Sequence, residues 1–163
     1  MLARSQRRLH QQRRHACGDG FTLVELMVTL SVAAILLAVA VPSLSNFVVG
    51  QRVKTASSDI GYSLTYARSE AIKRRANVTF SPAGTGWQNG WSVSTNTNTL
   101  STHEAFPHVV ITGPAAGVTF NDNGRTTVAG LSFNVGSATV GKIPPRCVTI
   151  NLSGMASTKI GAC

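Results

Sequence analysis

The sequence predicts an α+β protein in which one long N-terminal helix, with a membrane half and an amphipathic half, packs on a small, mostly antiparallel β-sheet. Three observations support this class. An uncharged apolar run spans residues 26–41, a helical pattern of apolar residues continues to about residue 76, and short strand-like runs follow. With 163 residues, the chain can form an anchor and one modest domain, but not two independent cores.

The first 20 residues are strongly basic. They contain five arginines and one acidic residue, Asp19, while the formal net charge of the whole chain is +9. Arginines that flank an apolar segment favour a cytoplasmic N-terminus. The basic cluster therefore indicates membrane topology rather than binding of RNA or DNA.

The apolar run reads LMVTLSVAAILLAVAV and is closed by Pro42. One carboxylate, that of Glu25, stands at its start, where a charge beside the membrane is unfavourable and is usually retained for a task. Pro42 lacks a backbone donor inside the predicted helix, so we expect a kink or local unwinding near it.

A second helical segment follows, in which apolar residues recur at spacings of three and four. Basic residues stand at its end, from Lys73 to Arg75, where the helix dipole favours cations. Together the two segments predict one helix over residues 22–75, about 80 Å long at ~1.5 Å per residue. A small domain cannot bury such a rod, so its first half must lie in lipid or among identical helices. The recurring apolar residues are Val49, Val53, Ala56, Ile60, Leu64, Ala67 and Ala71.

Beyond Ala76 the pattern changes to short runs separated by turn residues, among them Asn89-Gly90 and Asp122-Asn123-Gly124. Trp87 and Trp91 flank the first of these turns, and we expect them in the core or in hairpin packing. The predicted strands span residues 77–81, 91–95, 109–112, 118–121, 131–135 and 146–152.

The junction Gly20-Phe21-Thr22-Leu23-Val24-Glu25, followed by the apolar helix, resembles the processing site of type IV pilins and type II secretion pseudopilins. The resemblance implies that a prepilin peptidase cuts between Gly20 and Phe21 and methylates the new amine of Phe21. It also implies that Glu25 meets the N-terminal amine of a neighbouring subunit, since two poorly solvated opposite charges attract strongly at close range.

Two further segments extend the resemblance to the GspH/FimT branch of minor pilins and pseudopilins. They are residues 64–72, which read LTYARSEAI, and Asn89-Gly90-Trp91. The resemblance implies four parts. Residues 1–20 are a cleaved basic leader, 21–45 a transmembrane and filament-core helix, 46–76 the amphipathic half of that helix, and 77–163 a β-rich globular head. The leader is longer than is usual for members whose mature chain begins with phenylalanine, which leaves the start codon open.

An ordinary secretory signal peptide is the competing interpretation. The chain has a basic n-region, an apolar h-region and a small-residue cleavage site at Ala38-Val39-Ala40, which would start the mature chain at Val41. However, an h-region does not need Glu25, and the helical pattern continues past the cleavage site. The residues therefore favour pilin-type processing.

Three cysteines occur, of which Cys17 lies in the predicted leader. Cys147 and Cys163 would then lie on the far side of the membrane, where oxidation is permitted. We expect them to form a disulfide, which the chain-entropy model values at ~3 kcal/mol, with two free thiols as the alternative. Two cysteines without a nearby histidine do not complete a zinc site.

The sequence has no catalytic constellation, phosphate-binding glycine loop or metal-ligand spacing. We therefore expect a substrate of an enzyme rather than an enzyme, with no cofactor. His103 and His108 are five residues apart in a loop-like region, and we expect both to be surface histidines.

The resemblance implies a minor pilin of a type IV pilus that helps to initiate or cap pilus assembly. It would be anchored in the bacterial inner membrane by a single pass, with its head in the periplasm, before it enters the pilus. Its partners would be prepilin peptidase, other minor and major pilins, and membrane lipid before assembly. The alternative is a minor pseudopilin of a type II secretion system. A C-terminal disulfide loop favours the pilus, because such a loop is more common among pilus subunits.

DNA binding during natural transformation is a second alternative, because some FimT-type pilins carry a C-terminal Gly-Arg-x-Arg motif. The comparable residues here, 154–157, read Gly-Met-Ala-Ser and lack both arginines. A basic surface attracts polyanions without sequence preference, so DNA is permitted as a partner but not favoured. The residues that could form such a surface are Arg125, Lys142, Arg146 and Lys159.

Overall fold

The computed structural model describes residues 20–138 and 143–163, and it describes the backbone but not the side chains of residues 41–43. Residues 1–19 of the predicted leader, and the basic residue Lys142, lie outside the described residues. The first element is helix α1, Leu23–Arg74, of 52 residues. The helix predicted over residues 22–75 is thus present, with each end displaced by one residue.

The first half of α1 exposes every side chain from residue 21 to residue 40. This helix contains a stretch long and apolar enough to cross a membrane, and such a stretch needs about 20 residues. Pro42 lies within α1, but the side chains around it are not described, so the predicted kink stays a prediction.

The second half of α1 has one buried stripe at the predicted spacing. Two polar residues of this half, Ser57 and Glu70, are buried as well. The helix ends in a Schellman motif, in which Ala76 N donates to Ala71 O and Arg75 N donates to Ile72 O. Buried apolar residues of the stripe are Val53, Ala56, Ile60, Leu64, Ala67 and Ala71.

The head contains two four-stranded antiparallel sheets, which confirms the α+β class and divides the predicted β-structure into two layers. Sheet A has the order β3-β2-β1-β5 and sheet B the order β4-β6-β7-β8. The strands of sheet A are β1 Val78–Pro82, β2 Trp91–Ser94, β3 Thr99–His103 and β5 Val118–Phe120. Those of sheet B are β4 Val109–Thr112, β6 Leu131–Ser137, β7 Arg146–Ile150 and β8 Ala156–Ile160.

Aromatic side chains join the two sheets into one core. The ring of Trp87 lies 4.7 Å from that of Phe80 in sheet A and 4.7 Å from that of Phe133 in sheet B, measured between centroids. Its indole N–H donates to Pro114 O at 3.1 Å. Trp91 is also buried, and its indole N–H reaches Ser63 Oγ of α1 at 2.9 Å. Both tryptophans therefore serve the core, as the sequence predicts.

Candidate functional site

The start of α1 combines a helix cap with a lone carboxylate. Thr22 is the N-cap residue. Its Oγ1 accepts a hydrogen bond from the backbone N–H of Glu25 at 3.2 Å, and its carbonyl accepts one from Leu26 at 3.2 Å. This bond is made by the backbone of Glu25, while its carboxylate, which lies in the first turn, complements the helix dipole. Glu25 thus has a local role that our interpretation of the sequence missed, although its position in the first turn signals it.

The peptide bond between Gly20 and Phe21 precedes the helix in exposed, irregular backbone. The Phe21 side chain is 82% exposed, and apart from Gly20 and its chain neighbours no described atom lies within 4 Å of the position that a Cβ on Gly20 would take. Within residues 20–138 and 143–163, no hydrogen bond or ion pair reaches the Glu25 carboxylate, which is exposed. The geometry leaves both the peptide bond and the carboxylate open to an external partner.

The head is closed by a disulfide between Cys147 of β7 and Cys163, as the sequence predicts, with Cα atoms 5.0 Å apart. Cys147 is fully buried. It points away from the α1 side of sheet B, because its neighbour Val148 packs in the shared core and adjacent side chains of a strand face opposite ways. The bond therefore fixes the segment after β8 across the outer face of this sheet.

Two turns of the head, residues 121–125 and 151–155, are built alike. In each, the Oδ1 of the leading asparagine accepts the backbone N–H of the fifth residue at 2.9 Å. In each, the fourth residue is a glycine with positive φ, 69° at Gly124 and 78° at Gly154. A Cβ on Gly154 would collide with the carbonyl oxygen of Gly124, which itself accepts a hydrogen bond from Arg68 Nε at 3.1 Å. The two turns therefore lie against each other and against α1.

His103 lies on β3, so the prediction of a loop was wrong for this residue, and its side chain is 35% exposed. Its ring stacks on those of Trp91 and Phe106, at centroid distances of 4.4 and 4.9 Å, and these two rings also lie 5.8 Å from each other. Its Nε2 lies 3.3 Å from Asp59 Oδ2 on α1. His103 thus contributes to the contact between sheet A and the helix, whereas His108 is exposed.

Glu70 is buried near the end of α1 and accepts from two cations of the next turn. Arg74 Nε lies 2.6 Å from its Oε2, and Lys73 Nζ lies 3.3 Å from its Oε1. The hydrogen bond from Arg74, supported by Lys73, holds the pKa of this carboxyl below its ordinary value, although burial acts in the opposite direction. Glu70 is therefore ionised and paired at neutral pH.

The basic residues predicted as a DNA-binding surface are only partly described. Arg125 is exposed in the turn of residues 121–125, and Lys142 is not described. Cys147 pairs with Lys159, while Arg146 pairs with Ile160. Because adjacent residues of a strand face opposite ways, Arg146 and Lys159 lie on opposite faces of sheet B. Among the described residues, no group of three or more His, Cys, Asp or Glu could hold a metal ion.

Two family models match this chain. The model for the type II transport protein GspH matches residues 56–154, which include the last 19 residues of α1 and most of the head. The model for the prokaryotic N-terminal methylation motif matches residues 19–41, which include Gly20, Phe21 and Glu25.

The chain is also similar to known pilins. It is 24% identical to the type IV major alpha-pilin of Moraxella bovis over 123 residues, which cover 76% of this chain and 74% of that pilin. Two crystal structures of the type IV minor pilin FimU of Pseudomonas aeruginosa share its fold, with TM-scores of 0.58 and 0.56 and identities of 20% and 21%. The likeness covers 67% and 65% of this chain and 89% and 91% of the FimU chains.

Proposed function

The chain belongs to the GspH family, and from this membership we propose that it is a minor pilin of a type IV pilus that helps to initiate or cap pilus assembly. Pilins and pseudopilins are structural proteins rather than enzymes. The observation that carries the proposal is the match to the N-terminal methylation motif on a helix that exposes every apolar side chain up to residue 40. Such a helix requires lipid before assembly and other helices afterwards.

In this proposal, residues 1–20 are the leader that prepilin peptidase removes and residues 21–45 anchor the chain in the inner membrane. Residues 46–76 continue the helix as the support of the periplasmic head, residues 77–163. Processing creates an ammonium or methylammonium group at Phe21. Glu25 then pairs with the N-terminal ammonium of a neighbouring subunit, because each charge is costly if it stays unpaired where water is scarce.

Two observations favour the pilus over a secretion system. The FimU neighbours are minor pilins by name, and the Cys147–Cys163 bond encloses a C-terminal loop of the type common in pilus subunits. The name of the matched family model, a type II transport protein, favours the alternative, a minor pseudopilin. Deletion of the gene separates these functions, because a minor pilin is needed for surface pili and a pseudopilin for secretion of folded proteins.

Processing is tested by the intact mass and N-terminal sequence of the mature protein from cells with and without prepilin peptidase. We expect a chain that starts at N-methylated Phe21 only when the peptidase is present. A chain that starts at Val41 in both strains would indicate a conventional signal peptide and would overturn the proposal.

The role of Glu25 is tested by incorporation of Glu25→Ala into sheared pili, with Glu104→Ala as the matched control in the head. We expect Glu25→Ala to insert and fold normally but to be depleted from the pili, and Glu104→Ala to be incorporated like the wild type. Glu25→Gln is included because it keeps the size and polarity of the side chain. This variant loses the charge, so normal incorporation of Glu25→Gln would contradict the ion-pair role.

DNA binding stays a prediction that rests on exposed basic residues, of which Arg125 is the strongest candidate because it projects from a turn. A gel-shift assay with the full chain in detergent, at low and moderate salt, tests it. If DNA is a partner, binding at low salt weakens when Arg125 is changed to Gln. Absence of binding at low salt would remove this function.

A further inference from the structure

We propose that a groove at the base of the head binds one anionic phospholipid, with the phosphate at its rim and the upper part of an acyl chain along its floor. The groove lies between α1 and the turn that precedes β4, and its volume is about 480 Å³. Its described lining consists of Leu44, Ser45, Val48, Val49, Arg52 and His108.

The lining has the chemistry of an amphiphile site. Leu44, Val48 and Val49 form an apolar strip along α1, and Leu44 is 62% exposed. Arg52 and His108 supply hydrogen-bond donors at the polar part, and none of the described lining residues is acidic. A guanidinium matches the geometry of a phosphate, so the charge of the groove complements an anionic headgroup attached to a hydrocarbon chain.

The place of the groove in the sequence indicates a lipid rather than a water-soluble ligand. A membrane helix that begins at Phe21 uses about 20 residues to cross the hydrocarbon layer and so ends near Pro42. Leu44 and Ser45 then lie at the level of the headgroups, where anionic lipids attract basic residues. Arg52 is about two turns further along, and its long side chain extends back toward that level because helical side chains tilt toward the N-terminus. This step rests on the membrane insertion proposed above.

The backbone of His108 holds this residue in place beside the groove. Its φ is 63°, a left-handed conformation that costs a residue other than glycine free energy. Its carbonyl accepts a hydrogen bond from Ala138 N at 3.1 Å, which helps to fix this backbone while the imidazole lines the groove. The hydrogen bond thus keeps His108 beside the groove, and histidine is among the residues that tolerate this conformation.

The test is native mass spectrometry of the full chain in detergent, with phosphatidylglycerol and phosphatidylcholine of identical acyl chains supplied separately. We expect a one-to-one adduct with phosphatidylglycerol that survives removal of detergent, and weaker retention of phosphatidylcholine. Arg52→Gln is expected to reduce the retained fraction about fivefold, as for the loss of one basic residue at an anionic surface. Lys54→Gln is the matched control, since this exposed lysine on the same helix does not line the groove.

His108→Gly separates lipid binding from folding. This change relieves the left-handed strain, so the variant is expected to unfold at the same or a higher denaturant concentration than the wild type, yet to retain less phosphatidylglycerol. Equal retention of both lipids by the wild type would overturn the proposal. The proposal would also be overturned if Arg52→Gln and Lys54→Gln lost phosphatidylglycerol to the same extent. Protein dimers in the same mass spectra that disappear when Leu44 is changed would overturn it as well, since the groove would then bind a second copy of the chain.

Flotation with vesicles distinguishes failure of the groove from failure of the anchor. If the full chain floats with vesicles of either lipid but shows no preference in the adduct measurement, the groove proposal fails and the anchor stands. If the chain does not float with vesicles at all, the proposed membrane insertion itself fails, and the groove proposal with it.

Discussion

The two halves of α1 are built from similar apolar residues but depend on different surroundings. Leu30 in the first half is 61% exposed, whereas Leu64 in the second half is completely buried. Every side chain of residues 21–40 is exposed among the described residues, while the second half has one stripe that the head covers. Burial of the second half therefore stabilises the folded head, whereas the first half is free to contact lipid or other subunits.

The largest expected difference between the halves is in core packing. Leu64→Ala is expected to lower the free energy of unfolding of the head by about 2–5 kcal/mol, because it leaves a cavity. Leu30→Ala changes the same atoms on an exposed surface and is expected to leave the head unchanged. Urea unfolding of the full chain in detergent, followed by tryptophan fluorescence, measures both. If both variants lost the same free energy of unfolding, the two halves would not differ in their contribution to the stability of the head.

The disulfide is a second difference between the two regions, because it joins two residues of the head and should affect only the stability of the head. Cys163→Ser is expected to lower the free energy of unfolding by about 3 kcal/mol, the chain-entropy value for a loop of this length, given that the bonded residues are 16 apart. Reductant should lower the unfolding midpoint of the wild type toward that of the variant and leave the variant unaffected. A variant as stable as the oxidised wild type would contradict this role.

A smaller effect is expected where α1 meets the indole of Trp91. Ser63→Ala removes the acceptor that lies 2.9 Å from Trp91 Nε1 and leaves a buried donor unpaired, which costs about 1–2 kcal/mol. Ser58→Ala is the matched control, because Ser58 is exposed on the same helix. If both variants unfold at the same urea concentration, the hydrogen bond has no net effect.

The smallest expected effect is the pH dependence contributed by Glu70. Its pKa is lower in the folded state than the ordinary 4.5, so the folded state binds fewer protons than the unfolded state between the two values. The contribution to stability is present above about pH 4.5 and is lost as the pH falls through the lowered pKa. Glu70→Gln should therefore lose less stability than the wild type between pH 6 and pH 3. If the free energies of unfolding of the wild type and Glu70→Gln fell equally with pH, the ion pairs of Glu70 with Arg74 and Lys73 would make no net contribution to stability.

The sequence predicted those parts of the fold in which periodicity and burial agree. The limits of α1 and six strands follow from apolar spacing. The strands β3 and β8 were missed because both are polar edge strands, with sequences TLSTH and ASTKI, and neither has the alternation of buried apolar residues that marks β4 and β5. The division of the β-structure into two sheets was also not predicted, because strand order depends on pairing between distant segments.

The candidate site was predictable only in its local part. The junction of Gly20 and Phe21 with the carboxylate of Glu25 is a contiguous motif, so it can be read directly. The groove, by contrast, combines residues 44–52 of α1 with His108, which lies more than fifty positions away. The end of α1 could not be predicted from a glycine either. Helices commonly end at a glycine in the left-handed conformation, but here Arg75 takes that position with φ 51°.

Two asparagine–glycine pairs, at residues 89–90 and 123–124, are sites at which a polypeptide ages chemically. In a flexible chain the glycine nitrogen attacks the asparagine side chain, expels ammonia and forms a succinimide. Here Gly90 N donates to Trp87 O at 3.2 Å and Gly124 N donates to Asn121 O at 2.8 Å, so both nitrogens are held in turns. Deamidation should therefore proceed only as fast as these turns open, and the same hydrogen bonds that shape the head also set its chemical lifetime.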